Sequence, residues 1–359
     1  MPNHVFTAII DTYYRPSLLK EAVNALFRQT YDNLEIILVN NGATPETIEY
    51  LYEVEAKDKR IKLVHFAKNQ YSFDDPNNNI RVCFNAGLRA ATGDYIWYQA
   101  DDDLVADDYA EKMVALFKEN PDCITAAGFP VSIDIHGKVI DGEVRTKNIR
   151  PRYMEGHLMA LDALEGGKMF SAPGTIFTIK RDVLIKAGGY HVSVEDSQLY
   201  GIVPFGVTGF DETAIFYWRR HEGQLNKMLA VNGKVFIKDK LALLRDWQIE
   251  KRWQVFGKEA AREVVSTLRK KAFTGPATWF YINLSFFRFR ASFRIVRQMW
   301  KYPYFWFLVS ILPFKNPGMV IVQPLKRMLK PIVRSIFKYI PGLASISPRF
   351  ARLFNQVNR

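Results

Sequence analysis

Apolar residues recur along this chain with two different periods. Val5-Phe-Thr-Ala-Ile-Ile10, Leu34-Glu-Ile-Ile-Leu-Val39, Ile61-Lys-Leu-Val-His-Phe66 and Tyr95-Ile-Trp-Tyr98 are short, mostly apolar runs of strand length. Between them, Pro16 to Arg28 and about Asn79 to Ala91 read as amphipathic helices. Another helix opens at Thr44-Pro45, a pair suited to an N-cap and first turn. Strands alternating with helices predict an α/β fold on a doubly wound, mostly parallel sheet. In such sheets ligands bind beyond the carboxyl ends of the strands. Asp11-Thr-Tyr-Tyr-Arg15, Asn40-Asn41-Gly42 and Asp101-Asp102-Asp103 each follow a strand directly, so three polar clusters are expected around one crevice.

The pattern changes at about Thr125 to shorter strands, with a hairpin-like turn at Ile135-His-Gly-Lys138. Asp162 to Gly189 mixes a helix, a strand from Gly174 to Ile179 and a second short helix. Beyond about Val235 the chain reads as helical. The longest apolar run, Tyr302 to Phe314, is bracketed by Lys301 and Lys315. As a helix it would reach about 20 Å against a hydrocarbon core of roughly 30 Å, too short to span a bilayer.

Charge separates the two ends of the chain. The formal net charge is +12, yet no Asp or Glu follows Glu263, and Val264 to Arg359 hold 17 Lys and Arg. The first 263 residues are slightly acidic. Such asymmetry points to an anionic partner for the tail. From Leu325 to Ile340, apolar residues at helical spacing face a row of Lys326, Arg327, Lys330, Arg334 and Lys338, with a kink or restart expected at Pro331. Phe286, Phe289, Phe293, Val296 and Trp300 make a second stripe among Arg288, Arg290, Arg294 and Arg297. Basic helices with a large apolar face suit a membrane interface better than nucleic acid. Packing of both stripes on the rest of the chain is the alternative. Cys83 and Cys123 give neither a disulfide framework nor metal-binding spacing. No charged-then-apolar leader opens the sequence, so a cytoplasmic start and a peripheral position on the cytoplasmic face of the cell membrane are expected.

The acidic triplet is the strongest local chemical signal. Three consecutive carboxylates repel one another unless a cation or solvent screens them. One or two carboxylates plus substrate phosphates are the usual way Mg²⁺ is held. A solvated acidic loop is the competing reading; the position at a strand end, opposite two other polar strand ends, favours the cation.

Seven segments then share a register. They are Ile9-Ile-Asp-Thr-Tyr-Tyr-Arg-Pro16, Gln29-Thr-Tyr31, Leu34 to Gly42, Asn85-Ala-Gly-Leu-Arg-Ala-Ala-Thr-Gly-Asp-Tyr-Ile96, Gly188-Gly-Tyr190, Glu195-Asp196 and Tyr217-Trp-Arg-Arg-His-Glu-Gly223. In order and spacing they resemble the family 2 glycosyltransferases of the GT-A, Rossmann-like fold, over about residues 4 to 226. The resemblance implies a catalytic domain over 1–235, with a nucleotide-binding half at 1–104 and an acceptor-side half at 105–235. A helical, basic, membrane-associating region would occupy 236–359. It also implies an inverting transferase that moves a sugar from a nucleotide diphosphate sugar, UDP-linked as first choice, to a glycan or lipid-linked acceptor. A divalent cation, Mn²⁺ or Mg²⁺, would be the cofactor.

Residue by residue, the resemblance assigns Thr12, Tyr13, Arg15, Asn40, Asn41, Arg81 and Asp101 to the nucleotide sugar, and Asp102, Asp103 and His221 to the metal. Asp196 would be the general base, with Glu195 as alternate and Asp211-Glu212 as a competing pair. Arg219 and Arg220 could face diphosphate oxygens. Each has a plainer reading: Arg81 on a helix surface, Glu195-Asp196 in an acidic turn, His221 as a surface histidine beside two arginines. The chain departs from the family pattern in three places. Asp11 stands where the family has Pro, Asn40-Asn41 where it has paired Asp, and Ala100 at the first position of the Asp-x-Asp motif. Asn still offers a donor and an acceptor to a base edge. Gln248-Ile-Glu-Lys-Arg-Trp253 has one residue too many for the polymer-gripping motif of processive relatives, so one sugar per encounter is expected. A nucleotidyltransferase would open with a Gly-rich phosphate loop, and Ile9 to Pro16 contains no Gly. A catalytically inactive membrane-surface scaffold is the other rival.

Overall fold

The structure, a computed structural model, describes residues 4–72, 78–140, 151–165, 174–190, 201–221, 224 and 258–315. The chain divides into two compact units, residues 1–221 with 238–269 and residues 222–237 with 270–359.

The first unit is built on one mixed sheet flanked by helices. In chain order its elements are β1 (Phe6–Thr12), α1 (Pro16–Phe27), β2 (Leu34–Asn41), α2 (Pro45–Lys57), β3 (Ile61–Phe66), α3 (Asn78–Ala90), β4 (Tyr95–Ala100), β5 (Leu104–Val105), α4 (Tyr109–Glu119), β6 (Cys123–Ile133), β7 (Tyr153–Glu155), α5 (Gly156–Glu165), β8 (Phe177–Lys180), α6 (Arg181–Lys186) and β9 (Val207–Arg219). The strand order is β3-β2-β1-β4-β8-β6-β9-β5, with β7 added beside β9. The first four strands are all parallel. β8 runs antiparallel between β4 and β6, and β6 pairs parallel with β9. This is the doubly wound half expected from the sequence, continued into a mixed half. β1 and β2 are buried almost throughout, as strands covered by helices on both faces must be.

Sequence and structure part company at β6 and β9. Short strands were expected after Thr125, yet β6 has 11 residues and β9 has 13. Their ladder shifts register between Ala127 and Phe129, and Asp211, Glu212 and Thr213 interrupt the apolar pattern of β9. A shift and a polar break hide a long strand from a period-two reading. The hairpin-like turn forms as expected: Asp134 N–H donates to Lys138 O at 2.8 Å, and Gly137 takes a φ of 81°.

Glu35 ties three strands and a loop together beneath the sheet. Its carboxylate accepts bonds from Thr7 Oγ1 at 2.6 Å, Thr92 N–H at 2.9 Å and Thr92 Oγ1 at 2.8 Å, and pairs with Lys62. Burial alone would raise its pKa, but Lys62, Thr7 and Thr92 outweigh burial and lower it to about 2. A lowered carboxylate pKa stabilises the fold above the unfolded-state value and loses that contribution as pH falls. Glu35→Gln is therefore expected to cost about 2–3 kcal/mol at neutral pH and to flatten the fall in stability between roughly pH 4.5 and 2. Urea unfolding across that range checks it; an unchanged acid limb would contradict it.

The described part of the second unit is helical. α7 (Lys258–Ser285) enters it, followed by α8 (Phe289–Met299) and α9 (Pro303–Lys315). α8 packs through its smaller residues, Ala291, Ser292, Ile295 and Met299. Its aromatic stripe is outside: Phe289 is 61% exposed, Phe293 68% and Trp300 67%. Arg290, Arg294 and Arg297 are exposed as well. Among the described residues no helix is long and apolar enough to cross a membrane. The basic stripe from Leu325 to Ile340, Gln248 to Trp253, and Glu195-Asp196 lie outside the described residues.

Candidate active site

The carboxyl ends of β1, β2 and β4 lie side by side because the strands are in parallel register. Thr12 is opposite Asn40, and Asp11 is opposite Ala100. The loops are tied as well, since Thr44 N–H donates to Tyr13 O at 3.0 Å. Gly42 turns the chain away after β2 with a φ of +62°, and a β-carbon there would stand 2.4 Å from Asn69 N.

Arg15 is the hub of the cluster. It is the residue just before α1, and its guanidinium bridges the carboxylates of Asp101 and Asp102. Thr12 Oγ1 donates to Asp101 at 3.0 Å. His221 Nε2 lies 2.9 Å from Asp102 Oδ2 and 3.4 Å from Arg15 Nη1. Five residues assigned from sequence thus meet: Thr12, Arg15, Asp101, Asp102 and His221. They come from three places in the chain, the last of them about 120 positions beyond the acidic triplet. Beside them, the Asp11 carboxylate accepts a bond from Tyr98 O–H at 2.6 Å.

The three carboxylates of the triplet have separate environments. Burial, aided by Asp102 and Asp11, pushes Asp101 up to about 7 despite Arg15. Burial works against ionisation of Asp102 too, but His221 and Arg15 outweigh it and hold its pKa down. Burial next to Asp102 raises Asp103 well above the usual carboxylate range. Asp103, expected beside the metal, uses Oδ1 to accept the Arg219 N–H at 2.9 Å and is 3% exposed. Asp102 is the member of the triplet whose surroundings favour the carboxylate form most.

The other assigned residues are placed as follows. Asn40 accepts the Ala43 N–H at 2.7 Å and sets Nδ2 3.1 Å from His65 Nδ1; Asn41 accepts the Gln70 N–H at 2.9 Å. Both amides are buried at the end of β2, held by turn contacts that Asp could equally accept. Tyr13 is exposed and edge-on to Tyr14. Arg81 lies on α3 with Nη2 3.4 Å from Asn78 Oδ1. Arg219, expected near diphosphate, is instead fully buried and bonded to protein groups, while Arg220 stacks 4.1 Å over the Trp218 ring. Asp211 is turned back on its own strand, accepting from Thr213 N–H at 2.9 Å and Thr213 Oγ1 at 2.6 Å. Gly188-Gly-Tyr190 is docked on α3, where Asn85 exchanges 2.8 Å bonds with the Tyr190 N–H and C=O.

Tyr98, His65 and Glu21 were not singled out from sequence, and Asp11 was noted in a polar strand-end cluster without a role. Asp11 carried a signal, a carboxylate where the family has Pro. His65 carried none beyond strand alternation.

Among the described residues no three His, Cys, Asp or Glu side chains gather as a metal cage. The Asp102–His221 pair still fits a divalent cation in the chemistry of its donors. A carboxylate whose pKa is held down and an imidazole lie 2.9 Å apart, with side chains 10% and 12% exposed. Such a pair leaves the remaining positions to water and phosphate oxygens.

Comparisons with known proteins bear on the family and the fold. Residues 7–188 match the family described as "Glycosyl transferase family 2". An uncharacterized glycosyltransferase of Haemophilus influenzae is 31% identical over 145 residues, 40% of this chain and 42% of that protein. The uncharacterized glycosyltransferase EpsJ of Bacillus subtilis is 29% identical over 121 residues, 34% of this chain and 33% of that protein. The chain thus matches less than half the length of these relatives. In fold it is similar to S. aureus TarS 1-349 in complex with UDP-GlcNAc, with a TM-score of 0.53 at 12% identity, covering 77% of this chain and 80% of that one. The same TarS segment in another crystal structure gives a TM-score of 0.52, covering 75% and 72%. With half its length matched by the family and a GT-A sheet that gathers Thr12, Arg15, Asp101, Asp102 and His221, this chain belongs to the family 2 glycosyltransferases.

Proposed function

We propose that the chain is an inverting, non-processive glycosyltransferase that takes a sugar from a UDP-linked donor and works at the cytoplasmic face of a membrane. The observation that carries this reading is the Arg15–Asp101–Asp102–His221 cluster at the strand ends. Asp102 and His221 would hold the divalent cation, which neutralises the diphosphate as it leaves. Arg15 brings a second positive charge to the same place and suits diphosphate oxygens. Tyr13, exposed beside it, offers a ring for the base, next to the end of β2 where the buried Asn40 and Asn41 amides hold the turn. In the transfer the acceptor hydroxyl oxygen forms its bond to the anomeric carbon from the face opposite the diphosphate. The carbon–oxygen bond to diphosphate breaks, and the hydroxyl proton passes to a carboxylate, assigned to Asp196 with Glu195 as alternate. Inversion at the anomeric carbon follows from a single displacement.

A panel of nucleotide sugars, assayed for nucleotide release with and without Mn²⁺ or Mg²⁺, tests the reading. Divalent-dependent release of UDP from a UDP-sugar is expected. Pyrophosphate release from a nucleoside triphosphate and a sugar phosphate would favour a nucleotidyltransferase instead. No turnover of any kind would favour the scaffold.

The acceptor is proposed to be a glycan or a lipid-linked acceptor, reached by docking on anionic lipid. Support comes from α8, whose aromatic residues Phe289, Phe293 and Trp300 are exposed among arginines in a stretch without a single acid. Aromatic and apolar side chains enter the interface while arginines meet lipid phosphates, each contributing about 1 kcal/mol. Changing Arg290, Arg294 and Arg297 to Gln is expected to weaken binding to anionic vesicles on the order of a hundredfold and make it less sensitive to salt. Changing Phe289, Phe293 and Trp300 to Ser should weaken binding to neutral vesicles too. Vesicle flotation at two salt concentrations measures both; a full-length protein that ignores anionic vesicles would sink the membrane reading and leave the transferase one intact.

A further inference from the structure

Arg219 has no place in the donor chemistry proposed above, yet it is fully buried, among the largest side chains with no exposure. Burying a guanidinium is costly unless its donors are satisfied, and buried ion pairs often add little net stability. What it binds suggests why it is kept. Nε donates to the backbone oxygen of Asp102 at 2.7 Å, Nη1 to Ile135 O at 2.6 Å and Nη2 to Glu21 Oε2 at 2.6 Å. Its own N–H donates to Asp103 Oδ1 at 2.9 Å. One residue therefore joins the acidic turn, the hairpin after β6, and α1, the helix that Arg15 precedes. Gln99 Nε2 also braces the same turn, donating to Asp103 O at 2.8 Å.

A second connection runs along the chain. Arg219 ends β9, and the ladder to β6 carries one bond further, Arg220 N–H to Ile133 O at 2.7 Å. His221 follows immediately, with Nε2 2.9 Å from Asp102 Oδ2. The two partners of the Asp102–His221 pair are thus fixed from one residue, Asp102 through the guanidinium and His221 through the strand. We infer that Arg219 is a positioning residue that holds the Asp102 carboxylate and the His221 imidazole at bonding distance for the nucleotide diphosphate and its cation. This rests on the donor-site reading above. A planar fork that donates to three segments at once is something Lys cannot reproduce, although Lys keeps the charge opposite Glu21.

Arg219→Lys in the full-length chain tests it, at a temperature where circular dichroism is native. A crystal structure of the variant is expected to show the Asp102–His221 contact opened beyond hydrogen-bond reach, a readout that needs neither metal nor substrate. Mn²⁺ binding, followed by the electron paramagnetic resonance signal of the free ion, is expected to weaken at least tenfold, and kcat to fall at least tenfold with KM for the donor changing less. A lowered Tm with an unchanged contact, Mn²⁺ affinity and kcat would make Arg219 merely structural and overturn the inference. If Arg219→Lys does not fold, Glu21→Gln loosens one arm alone, and Mn²⁺ binding weakened two- to fivefold is expected; unchanged binding would overturn the inference. If the wild type itself binds no Mn²⁺ with nucleotide, the donor-site reading fails, and the Asp102–His221 contact in the variant still decides the role of Arg219.

Discussion

Asp102→Ala is expected to lower sugar transfer by about a thousandfold or more, the scale of losing a main electrostatic stabiliser of the departing group. Arg15 and His221 both converge on the Asp102 carboxylate, and it is the member of the triplet whose pKa is held down. Without it the diphosphate meets Arg15 and a solitary imidazole. Asp101→Asn is expected to do less harm, because an amide oxygen still accepts from Thr12 Oγ1 and only one side of the Arg15 bridge is lost. The ordering matters as much as the size of the effect. By the family resemblance Ala100 stands at the first Asp-x-Asp position, opposite Asp11 in the β1–β4 ladder, which leaves Asp102 as the motif carboxylate the proposed cation would rest on. Steady-state nucleotide release at increasing Mn²⁺ measures both variants. A near wild-type rate for Asp102→Ala at saturating Mn²⁺ would remove Asp102 from the donor site.

Asp196→Asn is expected to reduce kcat on the order of a hundredfold while leaving donor affinity nearly intact. The amide keeps the shape of the side chain and loses its affinity for a proton. Asp196 is outside the described residues; before it, Asn85 on α3 bonds both the N–H and the C=O of Tyr190. Donor affinity, from nucleotide titration, and turnover, from initial rates, separate binding from chemistry. An equal fall in both would make Asp196 a binding residue, and Asp211-Glu212 would be the next pair to test. Against that pair stands the local turn in which Asp211 caps Thr213.

The strand ends that build the site were legible because each ends an apolar run on a polar cluster. β1, β2 and β4 needed only the strand–helix alternation and the rule that ligands bind beyond carboxyl ends. The meeting of Arg15 with Asp102 was not legible by that route, since composition and period do not say which way a guanidinium turns. His221 was found only through the resemblance of its segment; its approach to Asp102 depends on β9, a strand whose length was masked by Asp211, Glu212 and Thr213. Arg219 shows the limit most clearly. Next to Arg220 and His221 it read as a candidate for phosphate, but strand alternation sends neighbours to opposite faces. Arg219 goes inward to Glu21 and the acidic turn, and Arg220 goes to the Trp218 ring. For α8 the order was reversed: the aromatic stripe was visible in sequence, and the packed face made of Ala291, Ser292, Ile295 and Met299 was not.

A crystal structure of the chain with UDP and Mn²⁺ would decide whether this cluster is the donor site. The ion is expected on Asp102 and His221, diphosphate oxygens on the ion and within reach of Arg15, and the base toward Tyr13 and the end of β2. UDP bound elsewhere, with the Arg15–Asp101–Asp102–His221 cluster left as it is in the unliganded chain, would contradict that assignment.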